Sequence, residues 1–254
     1  MSSQGKFVWY ELMTPDPAAA ATFYHDVVGL TAFDPNMPGA PYTILNAGGT
    51  SIGGIMATPE NHPAPPHWIG YIYVDDVDAA SARITAAGGQ ITRPASDIPN
   101  VGRFAVVADP QGAHFIIFKP SAEPENPPAP APQGTPGHVG WHELHAVDGS
   151  TAFPFYEKLF GWSLTEAHDM GPMGTYQTFV TNGGGGGLMT KQSPGGPFWI
   201  YYFNVADIDA ATARVTKAGG HVDMGPTQVP GGIYVIVARD PQNAHFALVG
   251  PRVG

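Results

Sequence analysis

The sequence predicts an α+β fold of two tandem domains, each a pair of βαβββ modules forming a half-open, barrel-like cleft. Three observations predict it: an internal duplication, a proline-rich break between the copies, and a strand–helix–strand pattern that recurs twice in each copy. FVWYEL at 7–12 matches VGWHEL at 139–144, with Trp9 on Trp141 and Glu11 on Glu143, an offset of 132. WIGYIYVDDVDAA at 68–80 then matches WIYYFNVADIDAA at 199–211, and ADPQGAHF at 108–115 matches RDPQNAHF at 239–246, both at an offset of 131. Matches in one order across most of the chain identify a repeat.

The elements follow in turn. A short strand over 7–12 leads to Asp16-Pro17 and to apolar residues at Ala20, Phe23, Tyr24 and Val27, closed by Gly29. That is an N-cap, a proline at the first helical position, an amphipathic face and a glycine C-cap. Runs at 42–46 and 52–57 read as strands. The plan then repeats: a strand over 68–74, Asp76, and a helix with Val77, Ala80, Ile84 and Ala87 on one face before Gly88-Gly89. Runs at 103–108 and 113–118 complete this second module, and Ile208, Ala211, Val215 and Ala218 carry its helix face in the second copy. Residues 119–137 hold seven prolines, which can neither pair into a sheet nor continue a helix. The predicted organisation is a first domain at 1–119 (modules 5–57 and 67–118), a linker at 120–137, and a second domain at 138–254 (modules 138–190 and 198–250). One face of a four-stranded module sheet is left bare, so modules must associate in pairs.

Composition narrows the function. Glycine and proline make up 60 of 254 residues, which fits short strands and tight turns. A formal charge of −10 argues against nucleic acid as a partner. There is no run of about 18 apolar residues, and no basic-then-apolar start. A cytoplasmic protein without membrane association is therefore the default expectation. With no cysteine, disulfides and thiolate metal sites are excluded.

The opening strand–Asp–helix with Phe23, Tyr24 and Gly29 (Phe155, Tyr156 and Gly161 in the second copy), together with the late DPQG and DPQN turns, resembles the vicinal oxygen chelate superfamily. That superfamily includes glyoxalase I, bleomycin-resistance proteins and extradiol dioxygenases. The resemblance implies the paired-module fold and a small-molecule cleft. It also implies metal ligands on the first strand of each module and after the DP turn. Here those places hold Trp9, Trp141, Ile69, Ile200, Ile116 and Ala247, and the closing strands of the first modules offer 53–56 and 186–189. None of these is a good donor for Zn, Ni, Mn or Fe, so no cofactor is expected.

Strand alternation puts Glu11 on the face of Trp9, Glu143 on that of Trp141, His114 on that of Ile116 and His245 on that of Ala247. Glu11 with His114, and Glu143 with His245, are thus candidate general acid–base pairs. The bland alternative is polar groups satisfied by backbone near a sheet end. Trp9, Tyr42, Trp68, Trp141, Tyr176 and Trp199 are candidate walls of an aromatic pocket or ordinary core filling, and Arg103 is a candidate carboxylate clamp or a surface ion pair. A divalent metal held by Glu143, His145 and His245 is the alternative to a metal-free site; the first copy has Met13 where the second has His145. The five glycines at 183–187 read as a flexible turn. Three readings of function follow. The first is a metal-independent pocket that sequesters an aromatic compound or performs glutamate-based proton transfer. The second is a metal-dependent glyoxalase-like lyase or dioxygenase, and the third a non-catalytic interaction module. A small molecule is the expected partner, with homodimerisation also open.

Overall fold

A computed structural model describes residues 3–36, 41–59, 64–122, 130–192 and 194–253. Four βαβββ modules follow one another. The first is β1 (Phe7–Thr14), α1 (Pro17–Val28), β2 (Thr31–Phe33), β3 (Tyr42–Ala47) and β4 (Thr50–Ala57). The second is β5 (His67–Tyr73), α2 (Val77–Ala86), β6 (Gln90–Ile98), β7 (Gly102–Ala108) and β8 (His114–Pro120). The third comprises β9 (Val139–Ala146), α3 (Gly149–Phe160), β10 (Ser163–Asp169), β11 (Thr175–Thr181) and β12 (Gly184–Thr190), with a 3₁₀ turn at Gly171–Met173. The fourth comprises β13 (Phe198–Asn204), α4 (Ile208–Lys217), β14 (His221–Gln228), β15 (Tyr234–Arg239) and β16 (His245–Gly250). Part of the proline-rich linker, 123–129, lies outside the described residues.

The helices form where the sequence signals them. Asp16, Asp76, Asp148 and Asp207 each accept a backbone N–H of the first turn, and Gly29 and Gly161 close α1 and α3 at φ 86° and 69°. Two eight-stranded sheets result, in the orders β2-β3-β4-β1-β5-β8-β7-β6 and β10-β11-β12-β9-β13-β16-β15-β14. Neither closes into a barrel. The first and last strands of a module pair in parallel, as in β1 with β4 and β5 with β8; in the first and third modules this places residues of the opening strand beside glycines of the closing one.

Modules one and two share a sheet, as do three and four, but compactness groups them otherwise. One unit combines Met1–Val8, Ile69–Pro130 and Trp141–Trp199; the other combines Trp9–Trp68, Ala131–Gly140 and Ile200–Gly254. Each unit thus joins two modules from different copies, and the DPQ turn is the joint. In the first unit Asp109 accepts the Tyr156 hydroxyl (2.9 Å) and the N–H groups of Gln111 and Ala113. Gln111 grips the backbone of Asp148 at the start of α3, accepting its N–H and donating to its carbonyl. In the second unit Asp240 takes the Tyr24 hydroxyl (3.2 Å), and Gln242 grips Asp16 in the same way. Aromatic rings fill both cores: Trp162 stacks on Tyr156 (5.3 Å) in the first, and Tyr24 meets Trp68 edge-on (5.1 Å) in the second. Each such buried ring contributes roughly 1.5–3 kcal/mol.

Candidate functional site

Glu11 and Glu143 are buried carboxylates, each 7% exposed, and the strands beside them explain what holds them. Glu11 lies in register with Gly54 of β4, and Glu143 with Gly187 of β12. One strand further out stand Tyr42 and Tyr176. A Cβ on Gly54 would fall 2.2 Å from the Tyr42 hydroxyl, and one on Gly187 would fall 2.1 Å from that of Tyr176. Each tyrosine therefore lies across a bare stretch of strand, and its hydroxyl reaches the glutamate beyond. Tyr42 donates to Glu11 Oε2 at 3.2 Å and Tyr176 to Glu143 Oε2 at 2.7 Å. Trp9 and Trp141 donate their indole N–H to Tyr42 and Tyr176 at 2.8 Å each. Burial, reinforced by the adjacent carboxylate, pushes both phenols well above their ordinary range, so they remain donors. The same Trp–Tyr–Glu line is present in both copies.

The five-glycine segment is mostly strand, not the flexible turn its composition suggests. Only Asn182 and Gly183 form the turn; Gly184–Gly187 are the first half of β12. Glycine is used there because large rings press on the strand: Phe179 and the His142 carbonyl against Gly186, Tyr176 against Gly187.

The copies differ beside the glutamate. His145 Nε2 lies 2.7 Å from Glu143 Oε1, and its ring stacks on Phe198 at 4.6 Å and 7°. Met13 takes the corresponding place in the first copy, and His67 stands where Phe198 does, its Nδ1 directed at the Pro65 carbonyl at 2.8 Å. Buried His142, alongside, stacks on Phe7 at 4.1 Å and bonds the Gly185 carbonyl; burial pushes its pKa down to about 4.

The other expected site residues are placed differently. His114 and His245 open β8 and β16 as exposed residues, and His245 lies near enough to Asp240 to bear on that carboxylate. Glu143 thus meets His145, two residues along its own strand. Trp68 and Trp199, 5% and 6% exposed, are core residues: Trp68 donates to the Tyr24 hydroxyl, and Trp199 packs edge-on to Tyr156 and Trp162. Arg103 is bound to Asp78 and Asp97 in exposed ion pairs. Surface cavities of about 290 Å³, beside Arg103 and Lys119, and about 320 Å³, beside Asp26 and Arg214, are lined by none of the Trp–Tyr–Glu residues.

A metal does not fit the family positions. Ile69, Ile116, Ile200 and Ala247 are buried and apolar, and the indole nitrogens of Trp9 and Trp141 carry hydrogens already donated to tyrosines. Among the described residues, no group of three or more His, Asp or Glu side chains is placed to hold an ion, including Glu143, His145 and His245. Sequence reasoning missed Gly54, Gly187 and Phe198, although the Gly-Gly pairs at 53–54 and 186–187 recur in the two copies within a residue of the repeat offset.

The paired βαβββ modules and their parallel first and last strands define a fold class, and sequence comparison specifies it. The family model described as the Glyoxalase/Bleomycin resistance protein/Dioxygenase superfamily matches residues 6–117 and 135–248, and the chain belongs to that superfamily. It is 33% identical to the Mycobacterium tuberculosis protein named "Putative glyoxylase CFP32", over 98% of this chain and 95% of that one. It is 32% identical to the Anthracycline biosynthesis protein DnrV of Streptomyces peucetius, over 98% of this chain and 94% of that one. Its fold is similar to a Mn(II)-bound glyoxalase from Novosphingobium aromaticivorans, with a TM-score of 0.67 at 16% identity, covering 98% of this chain and 83% of that one. It is also similar to homoprotocatechuate 2,3-dioxygenase from B. fuscum, with a TM-score of 0.69 at 16% identity, covering 98% and 72%.

Proposed function

We propose that this protein binds a small aromatic, carbonyl-bearing compound and moves a proton on it without a metal, using the glutamate clusters of its two domains. The observation that carries this reading is the repeated Trp–Tyr–Glu line, which fixes a buried carboxylate beside aromatic surface in each copy. A carboxylate held by a phenol in a water-poor setting is suited to general acid–base work. The indole and phenol rings offer a flat apolar ligand a complementary surface. The name of the Streptomyces peucetius relative, which assigns that protein to anthracycline biosynthesis, supports an aromatic polyketide-like ligand.

The test begins with tryptophan fluorescence, since Trp9 and Trp141 belong to the clusters. A library of aromatic ketones is screened for quenching, and the ligands found are assayed by NMR for solvent-deuterium incorporation in D₂O. Glu11→Gln with Glu143→Gln is expected to lower exchange by about 10²-fold or more while leaving quenching largely intact. Unaltered exchange in the double variant defeats the proton-transfer reading. Absence of quenching by any compound defeats the binding reading.

A further inference from the structure

We propose that the two copies have diverged in role, and that the proton is carried by His145 in the second domain, with Glu143 as its positioning residue. This rests on the proton-transfer reading above and assigns it to one atom. Glu143 has two oxygens and two donors: Tyr176 holds Oε2 at 2.7 Å, and His145 Nε2 holds Oε1 at 2.7 Å. A carboxylate accepts only, so the imidazole proton sits on Nε2 and the lone pair on Nδ1. Phe198, nearly parallel to the ring, fixes its plane and covers one face. The His145 side chain is 19% exposed and Glu143 only 9%, so the imidazole is the more accessible of the two groups. A carboxylate that fixes the tautomer and orientation of an imidazole is the arrangement of a general base and its positioning residue.

The first copy lacks this. Its Trp9–Tyr42–Glu11 line is intact, but Met13 presents a thioether, which takes no proton at neutral pH, in place of the imidazole. Among the described residues His67, which stands where Phe198 does, directs Nδ1 at the Pro65 carbonyl. The first copy's cluster therefore binds, and the second copy's reacts. The substrate class is a carbon acid, a C–H adjacent to a carbonyl on an aromatic compound. Nδ1 takes the proton, the C–H electron pair moves into the enolate, and the imidazolium returns a proton to carbon. The step is an isomerisation or exchange, with no oxidant or reductant.

The decisive experiment uses the full chain labelled with [¹⁵N]histidine. Long-range ¹H–¹⁵N spectra at neutral pH should show His145 as the Nε2–H tautomer in the wild type, with that preference lost in Glu143→Gln. An Nδ1–H tautomer in the wild type overturns the dyad whatever the ligand proves to be. Exchange of phenylacetone in D₂O is then measured. His145→Gln should lower it by about 10²–10⁴-fold, and added imidazole should restore part of it, which a packing role would not allow. Exchange in His145→Gln equal to wild type overturns the assignment. Met13→His combined with His67→Phe, which transplants the second copy's pair into the first, should raise the rate. A wild type that exchanges neither phenylacetone nor any quenching ketone defeats the proton-transfer reading itself, while the tautomer still decides the geometry.

Discussion

Gly187→Ala is the sharpest perturbation of the site because two effects of opposite sign compete. Gly187 has extended rather than left-handed backbone. Replacing such a glycine normally stabilises a fold by about 0.4–1 kcal/mol through the unfolded chain. Here the new Cβ would sit 2.1 Å from the Tyr176 hydroxyl and 2.2 Å from Cζ, where ordinary contact begins at 3.4 Å, so the ring must retreat by more than an ångström. Such a shift breaks both the 2.7 Å bond to Glu143 and the 2.8 Å bond from Trp141. A hydrogen bond to a carboxylate is worth about 1.5–3 kcal/mol and a neutral one about 0.5–1.5, so the loss outweighs the entropic gain, for a net destabilisation of roughly 1–4 kcal/mol. Urea denaturation followed by tryptophan fluorescence reads the change directly. In the Gly187→Ala/Tyr176→Ala double variant, the alanine at 187 should cost little, because the ring it displaces is gone. A stabilised Gly187→Ala protein, or strict additivity in the double variant, would refute the placement of Tyr176 across β12.

Two further predictions concern groups outside the lines. His142 is held neutral by burial, its pKa near 4 against an ordinary 6.5. Between those values the unfolded chain binds a proton that the folded protein does not, so stability falls as pH drops from 6.5 towards 4, by roughly 3 kcal/mol in all. His142→Tyr, the residue at the matching place in the first copy, should flatten that slope between pH 7 and 4.5; an unchanged slope contradicts the assignment. Arg103→Ala should leave both the urea midpoint and ligand quenching unaltered, since its partners Asp78 and Asp97 lie at the surface. A weakened ligand response would restore Arg103 as a carboxylate clamp.

The repeat, the capping aspartates and the βαβββ plan were legible because each has a local signature: an N-cap, a glycine stop, a period of two. The identity of Tyr42 and Tyr176 as partners of glutamate was not, because it depends on a ring crossing an intervening strand. Register between β11, β12 and β9 decides that contact, and the sequence of no single strand contains it. The glycines at 184–187 were misread for the same reason: composition marks a turn, whereas pairing makes a strand with room for rings. Trp68 looked like a ligand wall because strand position does not say which layer covers a face; α1, through Tyr24, covers it. The DPQ turns were recognised as turns, yet their role in gripping Asp16 and Asp148 required knowing which modules form a compact unit.

The proposed chemistry at the glutamate clusters needs no metal. Elemental analysis of untagged protein, before and after incubation with Zn, Ni, Mn and Fe(II), tests it most directly. Retained metal well below one ion per chain in every case, with ketone exchange unaffected by a chelator, is the predicted result. About one ion per chain, lost in Glu143→Gln together with activity, would contradict this reading and make the second copy a metal site.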